Sequence, residues 1–152
     1  MRKLPKNTSK YLSYKAAWER INAASAAGFS FEVVTLCESI ISNRLLSFVL
    51  GVAGNPRITE RTDFHQLIRE WRKRANPHPK ARNGDDLISK VDIWRKERNK
   101  VVHGMTKSLP GAPTEPVTTF VQRAQAAANE GIRLAKEVQV WHRDQVKSVP
   151  KR

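Results

Sequence analysis

Covalent reinforcement is almost absent from this chain, which has one cysteine in 152 residues. That residue, Cys37, lies inside an apolar run, so no disulfide can form within one chain and the thiol reads as a small buried hydrophobe. Acidic residues are also scarce: 14 Asp and Glu stand against 28 Lys and Arg, leaving a net charge of +14. The basic start MRKLPKNTSK is not followed by an apolar stretch of signal-peptide length. No segment is expected to reach the roughly 20 apolar residues that span a bilayer. The expectation is therefore a cytoplasmic protein in a reducing compartment, away from membranes. Period-two alternation long enough for a strand is missing, and so is any internal repeat. There is no phosphate-cradling glycine loop and no Ser/His/Asp arrangement. His65 and His78 read as surface residues and His142 as a protonated residue near a helix end. None has metal-ligand spacing with another His, Cys or carboxylate, so neither a metal nor a cofactor is expected.

What is present in excess is positive charge. A surface carrying +14 attracts polyanions, chiefly nucleic acid, by releasing their condensed counterions. An acidic partner protein would be drawn by the same field. The length suits one domain with one core. The expected organisation is a flexible basic leader over residues 1–10, a single helical domain over 11–146 and a basic tail over 147–152.

Helical periodicity runs through most of the chain. Tyr14, Trp18, Ile21 and Ser25 fall at helical spacing between Tyr11 and Ala27, with Gly28 as a stop. Ser30 is expected to cap a helix from Phe31 to about Val52, ended by Gly51, Gly54, Asn55 and Pro56. Residues 57–63 form a connector whose Thr62 or Asp63 caps a short helix carrying Phe64, Leu67, Ile68 and Trp71. Residues 76–84 are a loop; Asp85 and Asp86 suit the start of the next helix, which runs to Gly104. A second loop spans 107–116. The last helix covers about Val117 to Val146. Its expected buried face holds Val117, Phe120, Val121, Ala124, Ala128, Leu134, Ala135, Val138 and Trp141, with Gly131 admitting a close neighbour. The fold class expected is all-α, a bundle of four or five helices.

Two charges stand where apolar residues belong. Along the second helix, positions 31, 34, 38, 41, 45 and 48 form a seam that is apolar except for Glu38. Along the fourth, positions 87, 91, 94, 98 and 101 form another, apolar except for Arg98. A lone charge on a core-facing stripe must be satisfied or it costs several kcal/mol. The two are therefore expected to face each other or to line a cleft. Paired, they could simply fix the register of two helices. Arginine can also hold a carboxylate while presenting further donors to a phosphate.

Arg98 belongs to the run Arg-Asn-Lys-Val-Val-His, residues 98–103, at the end of its helix. At 100° per residue, Asn99 and His103 share a face and all three polar residues fit within less than half the circumference. Gly104 ends the helix there, and a helix C-terminus favours a protonated imidazole. An imidazole that exchanges protons near neutrality beside a fixed cation suits phosphodiester transesterification. A second pair of similar spacing, Arg72 and His78, is set aside because Asn76–Pro77 breaks its helix.

Arg98, Asn99 and His103 resemble the signature of the HEPN domains, an arginine and a histidine separated by four to six residues, often with Asn directly after the arginine. Here four residues intervene, and the architectural resemblance covers roughly residues 11–146. It implies a small helical bundle that dimerises, so that two motifs line one cleft. Many members are metal-independent endoribonucleases of toxin–antitoxin and antiphage systems; others bind nucleotides or proteins without catalysis. The implied roles are His103 as acid–base, Arg98 as phosphoryl stabiliser, Asn99 as the group that orients His103 or holds a phosphate oxygen, and Glu38 as support for Arg98. RNA is the implied substrate; the basic residues Arg72, Lys73, Arg74, Lys80, Arg82 and Lys100 are its candidate contacts, read from their charge, and otherwise a solvated face. An acidic antitoxin or a nucleotidyltransferase-type protein is the implied partner. Trp71, before the 72–74 run, could stack a base but reads better as core.

Overall fold

The computed structural model describes residues 6–104, 110, 111, 113 and 116–149, with the side chains of Lys6 and Asn7 set aside. Among these the chain forms five α-helices and no strand: α1 (Lys6–Ala26), α2 (Ser30–Ser47), α3 (Phe64–Arg74), α4 (Leu87–Gly104) and α5 (Val117–Ser148). A π-helical turn, Phe48–Val52, extends α2. The all-α bundle expected from the sequence is what forms.

Helix α1 starts at Lys6, so residues 6–10 of the expected flexible leader are helical; residues 1–5 lie outside the described residues. Ile21 and Ala24 are its buried residues, and Ser25, expected on the inner stripe, is exposed. Gly28 ends the helix at φ 77°. The Phe29 amide donates to the Ala24 carbonyl at 2.8 Å and the Gly28 amide to the Ser25 carbonyl at 3.2 Å, the paired bonds of a glycine C-terminal motif. This closure displaces the expected cap of α2. The Phe29 carbonyl already accepts from the Val33 amide at 3.2 Å, so Ser30 is the first helical residue and makes no side-chain cap.

Helix α2 and its π-turn form the spine of the bundle. Val33, Val34, Cys37, Ile40, Ile41 and Leu45 are buried. Contrary to the expectation from composition, Ser30–Val52 is one continuous segment of 23 residues, long and apolar enough to cross a membrane. It instead packs against α1, α3, α4 and α5, most extensively against α5. Asp63, of the two caps the sequence offered, closes the start of α3 by accepting from the Gln66 amide at 2.8 Å. Trp71 is fully buried and packs on Trp141 with ring centroids 5.1 Å apart, which removes it as a base-stacking surface.

Asp86 caps α4, accepting from the Ser89 amide at 3.2 Å and hydroxyl at 2.8 Å, with His78 Nε2 at 2.7 Å. Burial pushes its carboxyl up, but the contacts from His78 and Ser89 outweigh this and hold it at about 2.

Helices α4 and α5 run antiparallel, because Trp94 meets Gly131 while Gly104 meets Phe120. A Cβ at Gly131 would stand 2.7 Å from Trp94 Cζ2 and 3.3 Å from the Cys37 Cβ, so this glycine brings three helices together as expected. Trp94 Nε1 donates 2.8 Å to the Ala127 carbonyl, fixing the indole against α5. Two residues expected on the buried face of α5 are exposed, Val117 at 67 % and Val121 at 52 %. Val121 lies about 100° from Phe120 around the helix, and within the first turn only Phe120 is covered. Phe31, at the head of the α2 seam, is likewise partly open and stacks on Phe120 at 5.7 Å. The 107–116 loop falls largely outside the described residues. Of the expected tail, 147 and 148 belong to α5 and 150–152 lie outside.

Candidate functional site

The two out-of-place charges meet. Arg98 Nε on α4 forms an ion pair with Glu38 Oε2 on α2, with about a fifth of each side chain exposed, 23 % and 20 %. Their positions follow from the two seams. Val34 and Ile41 on α2 and Trp94 and Val101 on α4 are buried on either side of the pair, so the charges have nowhere else to go. Burial pushes the Glu38 carboxyl above the usual carboxylate range, and the adjacent Arg98 charge pulls it only part of the way back. Arg98 Nη1 also donates to Asn99 Oδ1 at 2.8 Å. Glu38, Arg98 and Asn99 are thus one polar cluster let into an apolar seam.

His103 sits in the last turn of α4 and is exposed to solvent. It shares a helix and a terminus with Arg98, while no hydrogen bond joins the two side chains among the described residues. A phosphate held against the outer face of the guanidinium would have to reach the imidazole round the helix, an arc of about 140°.

The cations expected to hold RNA divide. Lys73 and Arg74 pair with Glu70 at 3.6 and 2.9 Å, and Lys100 pairs with Glu97 at 3.1 Å, so their charge is partly matched locally. Arg72 is exposed on the last turn of α3, and Lys80 is exposed in a bridge opposite Asp86. Arg82 alone of the six lines an open trough of ≈ 640 Å³ on the surface.

That trough was missed in the sequence. Beside Arg82 it is lined by Arg44 from α2 and by Lys136, His142, Arg143 and Lys147 from α5. A signal was available, since positions 136, 143 and 147 recur at spacings that keep cations on one helix face. It was hidden because Arg44 and Arg82 come from distant parts of the chain. His142 departs from expectation. It is 7 % exposed, and burial, with Arg44 and Lys10 adding repulsion, depresses it to about 4, so it is neutral at pH 7. Elsewhere, no three His, Cys, Asp or Glu side chains gather to hold a metal among the described residues. His65 and His78 are exposed as expected.

No protein-family model, no curated protein and no solved structure matches the chain.

Proposed function

We propose that the protein is an endoribonuclease of the HEPN type that cleaves RNA without a metal. The observation that supports this most is the Glu38–Arg98–Asn99 cluster, an isolated polar group placed on the core-facing seams of two helices, with an exposed His103 in the same helix end. The chemistry is transesterification. His103 takes the proton of a ribose 2′-OH, and the 2′-oxygen forms a bond to the adjacent phosphorus. The bond to the 5′-oxygen breaks, and that oxygen takes a proton from the His103 of a second copy. Arg98 lowers the energy of the transition state by donating to the phosphoryl oxygens, Glu38 holds Arg98 in place, and Asn99 orients it. The products are a 2′,3′-cyclic phosphate and a 5′-hydroxyl. A homodimer is part of this reading because one chain supplies one imidazole. A toxin or antiphage-defence role, an acidic antitoxin or nucleotidyltransferase-type partner and a cytoplasmic location belong to it by resemblance alone.

The test is cleavage of labelled RNA by the purified chain in EDTA. Wild type should cut RNA and leave DNA intact, and His103→Ala should abolish cutting without altering helical content. Activity seen only with added magnesium refutes the mechanism. One observation favours a second reading, a HEPN-like module that binds nucleotide, nucleic acid or protein without catalysis. The Arg98 guanidinium is already engaged by Glu38 and Asn99, as a purely structural pair would be. Binding that persists in every condition, with no cleavage, selects that reading.

A further inference from the structure

The 640 Å³ trough lies away from the Arg98–His103 end. Because α4 and α5 are antiparallel with Gly104 against Phe120, residue 142 of α5 stands roughly 30 Å further along the bundle at 1.5 Å per residue. Arg44, Arg82, Lys136, Arg143 and Lys147 line it, with no acidic residue in the wall. Two carboxylates stand close by: Glu137, in an adjoining cavity that shares Arg82 and Lys136, and Asp144, 4.0 Å from Arg143. Among the described residues Arg44, Arg82, Lys136 and Lys147 make no ion pair. Unpaired cations occur elsewhere among these residues too, Arg61 and Lys96 included; what distinguishes these four is that, with Arg143, they line one space.

Arg44 is the most informative member. Its guanidinium carbon lies 3.9 Å from the centroid of the Tyr14 ring, so the side chain is held in place without a counter-charge. Its Nε is buried and has no hydrogen-bond partner. A buried donor left unpaired is costly, and a stacked, unpaired guanidinium at the wall of a cationic trough is preorganised for an anion.

We infer that this trough is a binding site for the sugar–phosphate backbone of a single-stranded nucleic acid, separate from the Arg98–His103 cluster. Lys136, Arg143 and Lys147 follow one another along about 16 Å of one helix, which provides a track for successive phosphates, whereas a mononucleotide would fill only part of it. Arginine forks offer bidentate contacts to phosphate oxygens along the track. The site needs no catalysis and stands whether or not His103 cuts RNA.

The measurement is fluorescence anisotropy of a labelled oligouridylate of about twelve nucleotides with the full chain, repeated across salt concentrations. The double substitution Lys136→Gln, Arg143→Gln should weaken binding at least about tenfold at low salt. It should also lower the slope of log K against log salt by roughly 1.4, about 0.7 for each single-strand phosphate that the variant no longer neutralises. The control Arg61→Gln, Lys96→Gln removes the same charge from exposed positions outside the trough and should change affinity less than about threefold. All four side chains are exposed, so helical content by circular dichroism should be unchanged. Equal losses in the two double variants would show diffuse attraction and overturn the site. So would the absence of saturable binding by wild type at low salt. Competition by polyglutamate as effective as by oligouridylate of equal charge would overturn it in favour of an acidic protein ligand.

Discussion

Gly131→Ala has a sign that the structure decides against helix propensity. In an open helix interior, replacing glycine by alanine stabilises by about 1 kcal/mol. Here the added methyl would stand 2.7 Å from Trp94 Cζ2, 3.1 Å from Cε2 and 3.3 Å from the Cys37 Cβ. The indole is poorly placed to retreat, because Nε1 is held to the Ala127 carbonyl at 2.8 Å and the ring packs edge-on to Phe64. Overpacking of this kind costs typically 1–3 kcal/mol, and swinging the ring away forfeits a buried hydrogen bond worth about 1 kcal/mol. The balance is a net destabilisation of about 1–2 kcal/mol, a melting point lower by roughly 2–8 °C for a chain of this length. Thermal and urea unfolding followed by circular dichroism measure it. The companion variant Trp94→Phe removes the clashing ring, so adding Gly131→Ala in that background should be neutral or stabilising, a coupling of about 1–3 kcal/mol. A higher melting point for Gly131→Ala in the wild-type background would refute the three-helix contact.

The ion pair gives a second test: Arg98→Met alone leaves the Glu38 carboxylate largely buried and unpaired and should cost about 3 kcal/mol, while Arg98→Met with Glu38→Met should recover most of it in urea melts. His142 supplies a pH dependence. Its folded value of about 4 lies below the ordinary 6.5, so the unfolded chain binds the extra proton between these limits. Stability should therefore fall as pH drops from 6.5 towards 4, by up to about 3 kcal/mol. His142→Leu should remove that component, and melts of the two proteins across this range compare them. Asp63→Ala removes the acceptor for the Gln66 amide and should lower stability by about 1 kcal/mol, read as a shift of the urea midpoint.

Much of the bundle follows from local pattern. The stretch from 87 to 104 shows why: Leu87, Val91, Trp94 and Val101 lie on one stripe of a 3.6-residue repeat, with Asp86 to accept the first free amides and Gly104 at the end. The same pattern made Glu38 and Arg98 conspicuous, since each interrupts an otherwise apolar seam, and their pairing across α2 and α4 is the outcome. Where prediction failed, the deciding contacts were made by neighbours. Ser30 does not act as a cap because the closing turn of α1 had already placed the Phe29 carbonyl over Val33. Val117 and Val121 are apolar yet exposed, because the part of α5 that is covered depends on where its neighbours end.

Periodicity, charge order and chain punctuation are carried by residues a few positions apart, so the sequence by itself determined the helices, the core stripes and the one polar seam. Which cations share a trough depends on the crossing of helices that are far apart along the chain. Only the tertiary structure could set Arg44, Arg82 and the α5 basic residues around one space. It also put His142 in the wall of that space, where loss of hydration and nearby positive charge keep the ring neutral.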